Sequence, residues 1–187
     1  MGMGLLKTGI NEIIATTTCN AAPIGIHLRD KNATMILFPG SHTAENVLRD
    51  GWVVANIIHD PVLYVKTAFD DLPCDAFVEE PVSGRLMYRL RDAEAWIAFT
   101  VRVETNTARM LKVHLTQEKE IIEGVGVHPV NRGFNSIIDA TVHATRFRVN
   151  KDPELKRLID YHADLVRKCG GKKELEALDF LMQYIID

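Results

Sequence analysis

The chain has 187 residues, 47% hydrophobic and 25% charged, enough to bury a core without disulfides or metals and ordinary for a soluble globular protein. Its formal net charge of −3 excludes a global basic field for nucleic acid or anionic lipid. No apolar run approaches a membrane span, and the start of the chain lacks the long apolar stretch of a secretory leader. Cys19, Cys74 and Cys169 are far apart and form no Cys-x-x-Cys, which argues against a disulfide scaffold or zinc ribbon and predicts a reducing, cytoplasmic setting.

In chain order, the first two-thirds reads as strands. Asn11 to Thr18 is β-branched and partly alternating, and Pro23 to Arg29 alternates with Ile24, Ile26 and Leu28 on one face. Asp30-Lys31-Asn32 is a turn, Ala33 to Phe38 a short buried strand, and Trp52 to Ile58 another. Four strands at close spacing predict an antiparallel sheet or barrel, not βαβ units. Between the third and fourth lies Ser41 to Gly51, two turns of helix with Gly51 just past its end. Asp60-Pro61 is an N-cap and N1 pair, opening a helix with Val62, Leu63, Val65, Ala68 and Phe69 as its apolar stripe.

Further on, Asp75 to Glu79 reads as a short strand or loop, and Arg85 to Arg91 as a basic run around Tyr88. Glu94 to Thr105 alternates clearly: Trp96, Ala98, Thr100 and Arg102 face one way, Ile97, Phe99, Val101 and Val103 the other. A turn near Glu104 to Ala108 leads to a strand from Arg109 to Ile122. The pattern then becomes helical. Ile137, Ile138, Thr141, Ala144 and Phe147 share one spacing; Leu155, Leu158, Ile159, His162, Leu165 and Val166 a second; Leu175, Leu178, Leu181, Met182 and Ile185 a third. The fold class is therefore α+β, with a mostly β domain over 1–126 and a three-helix subdomain over 127–187.

Few motifs carry chemistry. No Walker A loop, G-x-G-x-x-G, G-x-S-x-G or Cys/His nucleophile arrangement is present, so no catalytic side chain is assigned. The seven histidines lack the spacing of a helical metal site, so no metal is expected, and His162 reads as a packed histidine. Two stretches stand out. Asn20-Ala21-Ala22-Pro23-Ile24-Gly25 carries little side chain; it is either a hairpin turn between the first two strands or a place where a flat ligand meets backbone. Ser41-His42-Thr43 follows Pro39-Gly40 at a helix start, where unpaired N–H groups and the helix dipole favour an anion. The alternative is that Ser41 or Thr43 simply caps the helix. Arg132, with Asn131 and Asn135 at a later helix start, either faces an anion or lies exposed on a capped helix.

Taken jointly, these stretches resemble the split-barrel flavoproteins of the flavin-reductase and flavoredoxin type. Asn20-Ala21-Ala22-Pro23 is similar to that group's N-x-x-P element. Ser41 to Val47 is similar to its K-D-T-x-x-N helix start, and Trp52 to Ile57 to its v-v-N-i strand. Ser41-His42 departs from the usual Lys-Asp, so the Lys charge is missing. The whole chain, through GINEIIATT, NAAPIG, HTAENV, VVANI and HPVNRGFNSIIDATVHATR, is similar to an uncharacterised archaeal and bacterial family of FMN-binding split-barrel proteins with a helical C-terminal domain. The resemblance implies a Greek-key barrel of about six strands and a homodimer with FMN near its interface. It implies a cofactor site drawn from Asn20, Ala22, Pro23, Ile24, Gly25, Ser41, His42, Thr43, Asn46, Asn56 and Arg132. FMN would give an oxidoreductase drawing on NAD(P)H or another donor; the alternatives are a non-catalytic flavin carrier or store, and an interaction module on a split-barrel scaffold.

Overall fold

The computed structural model describes residues 4–185 as two compact units. The first comprises residues up to Ile58 and Leu72–Gly126; the second comprises His59–Asp71 and the residues from Val127 onward.

The first unit is a closed antiparallel barrel of six strands in the order β1-β2-β3-β8-β7-β4. These are β1 (Gly9–Thr17), β2 (Asn20–Arg29), β3 (Asn32–Leu37), β4 (Trp52–Ile57), β7 (Ala95–Asn106) and β8 (Leu111–Ile122). With β4 beside β1, the order β4-β1-β2-β3 is a Greek key. Closure leaves the barrel wall few free edges. Inward side chains alternate as the sequence predicts: Ile13, Ala15, Ile26, Met35, Leu37, Ile97, Phe99, Val113 and Leu115 form the core. Helix α1 (His42–Asp50) adds Ala44 and Val47 to that core.

A separate hairpin of β5 (Phe77–Val82) and β6 (Arg85–Leu90) follows a single 3₁₀ turn at Cys74–Ala76. Arg85 to Arg91, read from sequence as a basic run, is mostly this strand, and its Met87 and Leu90 are buried. Met87 and Val82 pack with Trp52, Val54, Trp96 and Ala98, so the second face of β7 is buried too. That explains why Trp96 and Ala98 are apolar on the face opposite Ile97 and Phe99.

The second unit holds α2 (Pro61–Phe69), α3 (Arg132–Asn150), α4 (Pro153–Cys169) and α5 (Lys172–Gln183). The division at residue 126 needs one correction. Residues His59–Asp71 belong with the helices, because α2 buries Val65 among Ile137, Ala140, Ile159, Leu178 and Leu181. Its inward face is Pro61, Tyr64, Val65 and Thr67, so of the predicted stripe only Val65 is fully buried. Asp60 caps α2 as expected, accepting from Val62 N and Leu63 N.

The stripes of α4 and α5 also turn from their predicted positions. Ile159, Ala163 and Val166 are buried on α4 while Leu158 is exposed; on α5 Ala177, Leu178 and Leu181 are buried while Leu175 is exposed. Small residues set this rotation, since an alanine lets helices approach where a leucine would hold them apart. The closest approach is at Gly133, where an added Cβ would lie 2.5 Å from Gly170 Cα.

Candidate functional site

The NAAPIG stretch is not a turn. Asn20 to Gly25 lie within β2, paired with Thr17 to Glu12 of β1, and the hairpin turn is the two-residue Thr18-Cys19. Cys19, the second residue of that turn, takes a left-handed φ of 52°. The pairing of β2 with β3 begins only at Ile26. Asn20 to Gly25 therefore have a neighbour on the β1 side alone, which splits the barrel wall beside β2. Pro23 is tolerated there because that edge makes no ladder. Asn20 and Ala21 are buried, and Ala22, Pro23, Ile24 and Gly25 are half-buried. Gly25 has a local reason to be glycine: a Cβ would meet Ile10 Cγ2 of β1 at 2.8 Å.

A buried polar network ties this strand to α1. Asn20 Nδ2 donates to Thr43 Oγ1 at 2.9 Å, and Asn46 Nδ2 donates to Thr17 Oγ1 at 3.0 Å and to the Thr18 carbonyl at 3.1 Å. Thr18 Oγ1 donates to Asp50 Oδ2 at 2.8 Å, so the far end of α1 is tied to the same turn. Hydrogen bonding from Arg49, with a smaller part from Thr18, holds the Asp50 carboxyl below the usual carboxylate range. Thr43 accepts from Asn20, which leaves its hydroxyl proton to be donated elsewhere. Thr17 and Thr18 were missed in the sequence; a Thr-Thr-Thr run before a tight turn was the only signal available.

The three residues at the start of α1 have different roles. Ser41 is the cap: its Oγ accepts from Ala44 N at 3.3 Å and donates to the Phe38 carbonyl at 2.8 Å. Thr43 is buried in the network, and His42 is exposed at the first helical position. The first helical bond runs from Glu45 N to the Ser41 carbonyl, so the Thr43 N–H, one residue into the helix, has no intrahelical carbonyl to donate to.

Asn56 stands apart from the other predicted contacts. It is 0% exposed. Its Nδ2 donates to the Ile14 carbonyl and to Thr16 Oγ1, both at 2.9 Å, and its Oδ1 accepts from Leu90 N at 2.8 Å. Both side-chain amide atoms are used in joining β4, β1 and β6, which supports a structural role for Asn56. Arg132 lies in the helical unit, exposed at the first residue of α3, and Asn131 caps that helix by accepting from Gly133 N at 2.8 Å. The structure thus gathers Asn20, Ala22, Pro23, Ile24, Gly25, Ser41, His42, Thr43 and Asn46 on neighbouring parts of one unit. Among the described residues no group of three or more His, Cys, Asp or Glu is placed to hold a metal ion. No described helix is long and apolar enough to cross a membrane.

A Greek-key barrel opened beside β2, followed by a helical unit, defines the class: the split-barrel fold of FMN-binding proteins. The chain belongs to the DUF447 family. Residues 11–124 match the N-terminal domain of this protein family of unknown function and residues 131–183 match its second part. An FMN-bound protein of that family from Methanosarcina mazei has a solved structure similar to this one. The TM-score is 0.90 at 35% identity, over 95% of this chain and 96% of that one. An uncharacterised protein of Methanocaldococcus jannaschii is 24% identical over 93% of this chain and 97% of its own length. An FMN-binding protein from Thermus thermophilus, solved with p-hydroxybenzaldehyde, shares the fold at a TM-score of 0.51 and 12% identity, over 65% of this chain and 76% of that one.

Proposed function

We propose that the chain binds FMN between the start of α1 and the unpaired edge of β2, and acts as an oxidoreductase of the flavin-reductase type. The observation that carries the reading is the direct tie between those two elements, Asn20 Nδ2 to Thr43 Oγ1, beside a stretch of β2 that lacks a neighbour on one side. The FMN-bound relative from Methanosarcina mazei, similar over nearly the whole chain, supports it. The residues fit the cofactor. The Thr43 N–H and the Thr43 hydroxyl proton are donors for a phosphate, and the helix dipole adds about 0.3–1 kcal/mol per contact. Ala22, Pro23 and Ile24 put little polar bulk between a flat ring and the strand backbone.

When bound, FMN would supply hydride and electron transfer. This chain's residues would bind and orient it. Asn20 fixes the Thr43 rotamer, Asn46 holds the β1–β2 turn through Thr17 and Thr18, and Ser41 keeps the first turn of α1 wound. The reading includes a nicotinamide electron donor and a homodimer. Exposed Phe38 and Met110, which flank the paired Leu37 and Leu111, are apolar surface for a second copy.

The test is reconstitution. Purified protein mixed with FMN and desalted is expected to keep the visible absorption of oxidised flavin and to bleach on anaerobic addition of NADH or NADPH. A colourless product would overturn the flavin reading. Retained colour with no bleaching by either nicotinamide would overturn the reductase reading alone.

A further inference from the structure

On the outer wall of the barrel the register lines up four side chains across four strands. His27 of β2 faces Thr34 of β3, Thr34 faces His114 of β8, and His114 faces Arg102 of β7. Because side chains alternate, Arg29 and Lys112, two residues along their strands, share this outer face. Together they line a cleft of about 600 Å³. The floor is built by a β-bulge. Val103 pairs with Val113 and Thr105 with Lys112, so Glu104 has no partner residue opposite it. Bulges re-aim side chains. Here Glu104 reaches Lys112 Nζ at 2.9 Å, His114 Nδ1 at 3.9 Å and Arg102 at 4.0 Å.

The charge balance of the cleft is opposite to that of the chain. Arg29, Arg102 and Lys112 face only Asp30 and Glu104 among its lining carboxylates, while the chain carries −3. Glu104 sits nearest to Lys112, and the Arg102 side chain remains 70% exposed. Among the described residues, Arg29 has no carboxylate within ion-pair distance. Two guanidinium groups therefore enter one concavity from strands three steps apart, about 4.8 Å per step. Guanidinium forks match phosphate oxygens in pairs.

We propose that this cleft is a second binding site, separate from the flavin site, for a small phosphorylated polyanion held between Arg29 and Arg102. It does not rest on the flavin reading. Glu104 tempers the site by holding Lys112, so the two arginines make the main contacts.

Isothermal titration of the full chain with inorganic pyrophosphate at low salt tests this, on both FMN-saturated and flavin-free protein. Saturable binding is expected in both. It should weaken by about tenfold or more in Arg29→Gln or Arg102→Gln, the effect of losing one charge-assisted contact. Glu104→Gln should tighten it. Both arginines are at the surface, so melting temperatures equal to wild type are expected; Arg102→Lys, which keeps the charge but loses the fork, should lie between wild type and Arg102→Gln. Absence of binding to wild-type protein overturns the proposal. So does binding that survives both arginine substitutions, or binding that FMN saturation abolishes, which would place the ion at the flavin site.

Discussion

Asn56 separates a structural role from a cofactor role most sharply, and Asn56→Leu is the perturbation we choose. Leucine has the same branched outline as asparagine, so no cavity forms; its bulkier methyl groups add some overpacking to the polar loss. The substitution removes the acceptor for Leu90 N and the donor to Ile14 and Thr16. Thr16 Oγ1 keeps its bonds to the Val54 and Tyr88 carbonyls, at 3.3 and 2.5 Å, so it is not stranded. Leu90 is 2% exposed, so its N–H is left without water or partner. The orphaned Leu90 donor costs about 1–3 kcal/mol and the two lost bonds to Ile14 and Thr16 about 0.5–1.5 kcal/mol each, which together predict a loss of about 2–6 kcal/mol. For a chain of this length each kcal/mol shifts Tm by about 2–4 °C, so a fall of about 4–24 °C is expected. The assay is thermal unfolding followed by circular dichroism, with FMN affinity measured well below the variant's Tm by quenching of flavin fluorescence. Affinity should stay within about threefold of wild type, less than the 1.4 kcal/mol that marks a tenfold change. An unchanged Tm with FMN affinity lost would refute the reasoning, because Asn56 would then be a ligand and not a pin.

Thr43→Ala is predicted to weaken FMN binding by about 1–3 kcal/mol through loss of a charge-assisted bond, with Thr43→Ser restoring most of it in the same fluorescence titration. Gly133→Ala should destabilise the helical unit by about 1–3 kcal/mol, since its Cβ would meet the Gly170 backbone at 2.5 Å; denaturant unfolding reads this, and a neutral result would mean that α3 can shift freely. Burial, and then the neighbouring His162, lower the His143 pKa below its ordinary value. The unfolded chain then holds the proton more tightly than the native one. Stability is therefore full above about pH 6.5 and declines as pH falls from there through the native pKa. His143→Gln should flatten that part of the stability–pH curve, and an unaltered acid decline would show that other groups cause it.

Much of this protein follows from local pattern. Alternation in Ile97 to Val103, the Asp60-Pro61 cap, the Gly51 stop and the change to helical spacing past residue 128 each report chemistry between near neighbours in sequence. The order of small, hydroxyl and amide residues in NAAPIG, SHTAEN and VVANI was enough for the split-barrel resemblance, and the barrel order bears that fold out. Other features depend on contacts between distant segments. Asn56 reads as a polar site residue in the sequence, and only the tertiary structure brings Leu90 N, 34 positions away, to its carbonyl oxygen. NAAPIG looked like a turn because small residues and proline favour turns, but a strand edge without a neighbour tolerates them equally. Helix α2 lies between strands in sequence yet packs with α3 and α5. The outer-wall cleft draws its charges from β2, β7 with its bulge, and β8, so no stretch of sequence contains it. Sequence determines what each segment can become, since propensity, periodicity and capping act over a few residues. Which polar groups are satisfied internally, and which are left to meet a ligand, is decided only when segments far apart in the chain are brought to hydrogen-bond distance.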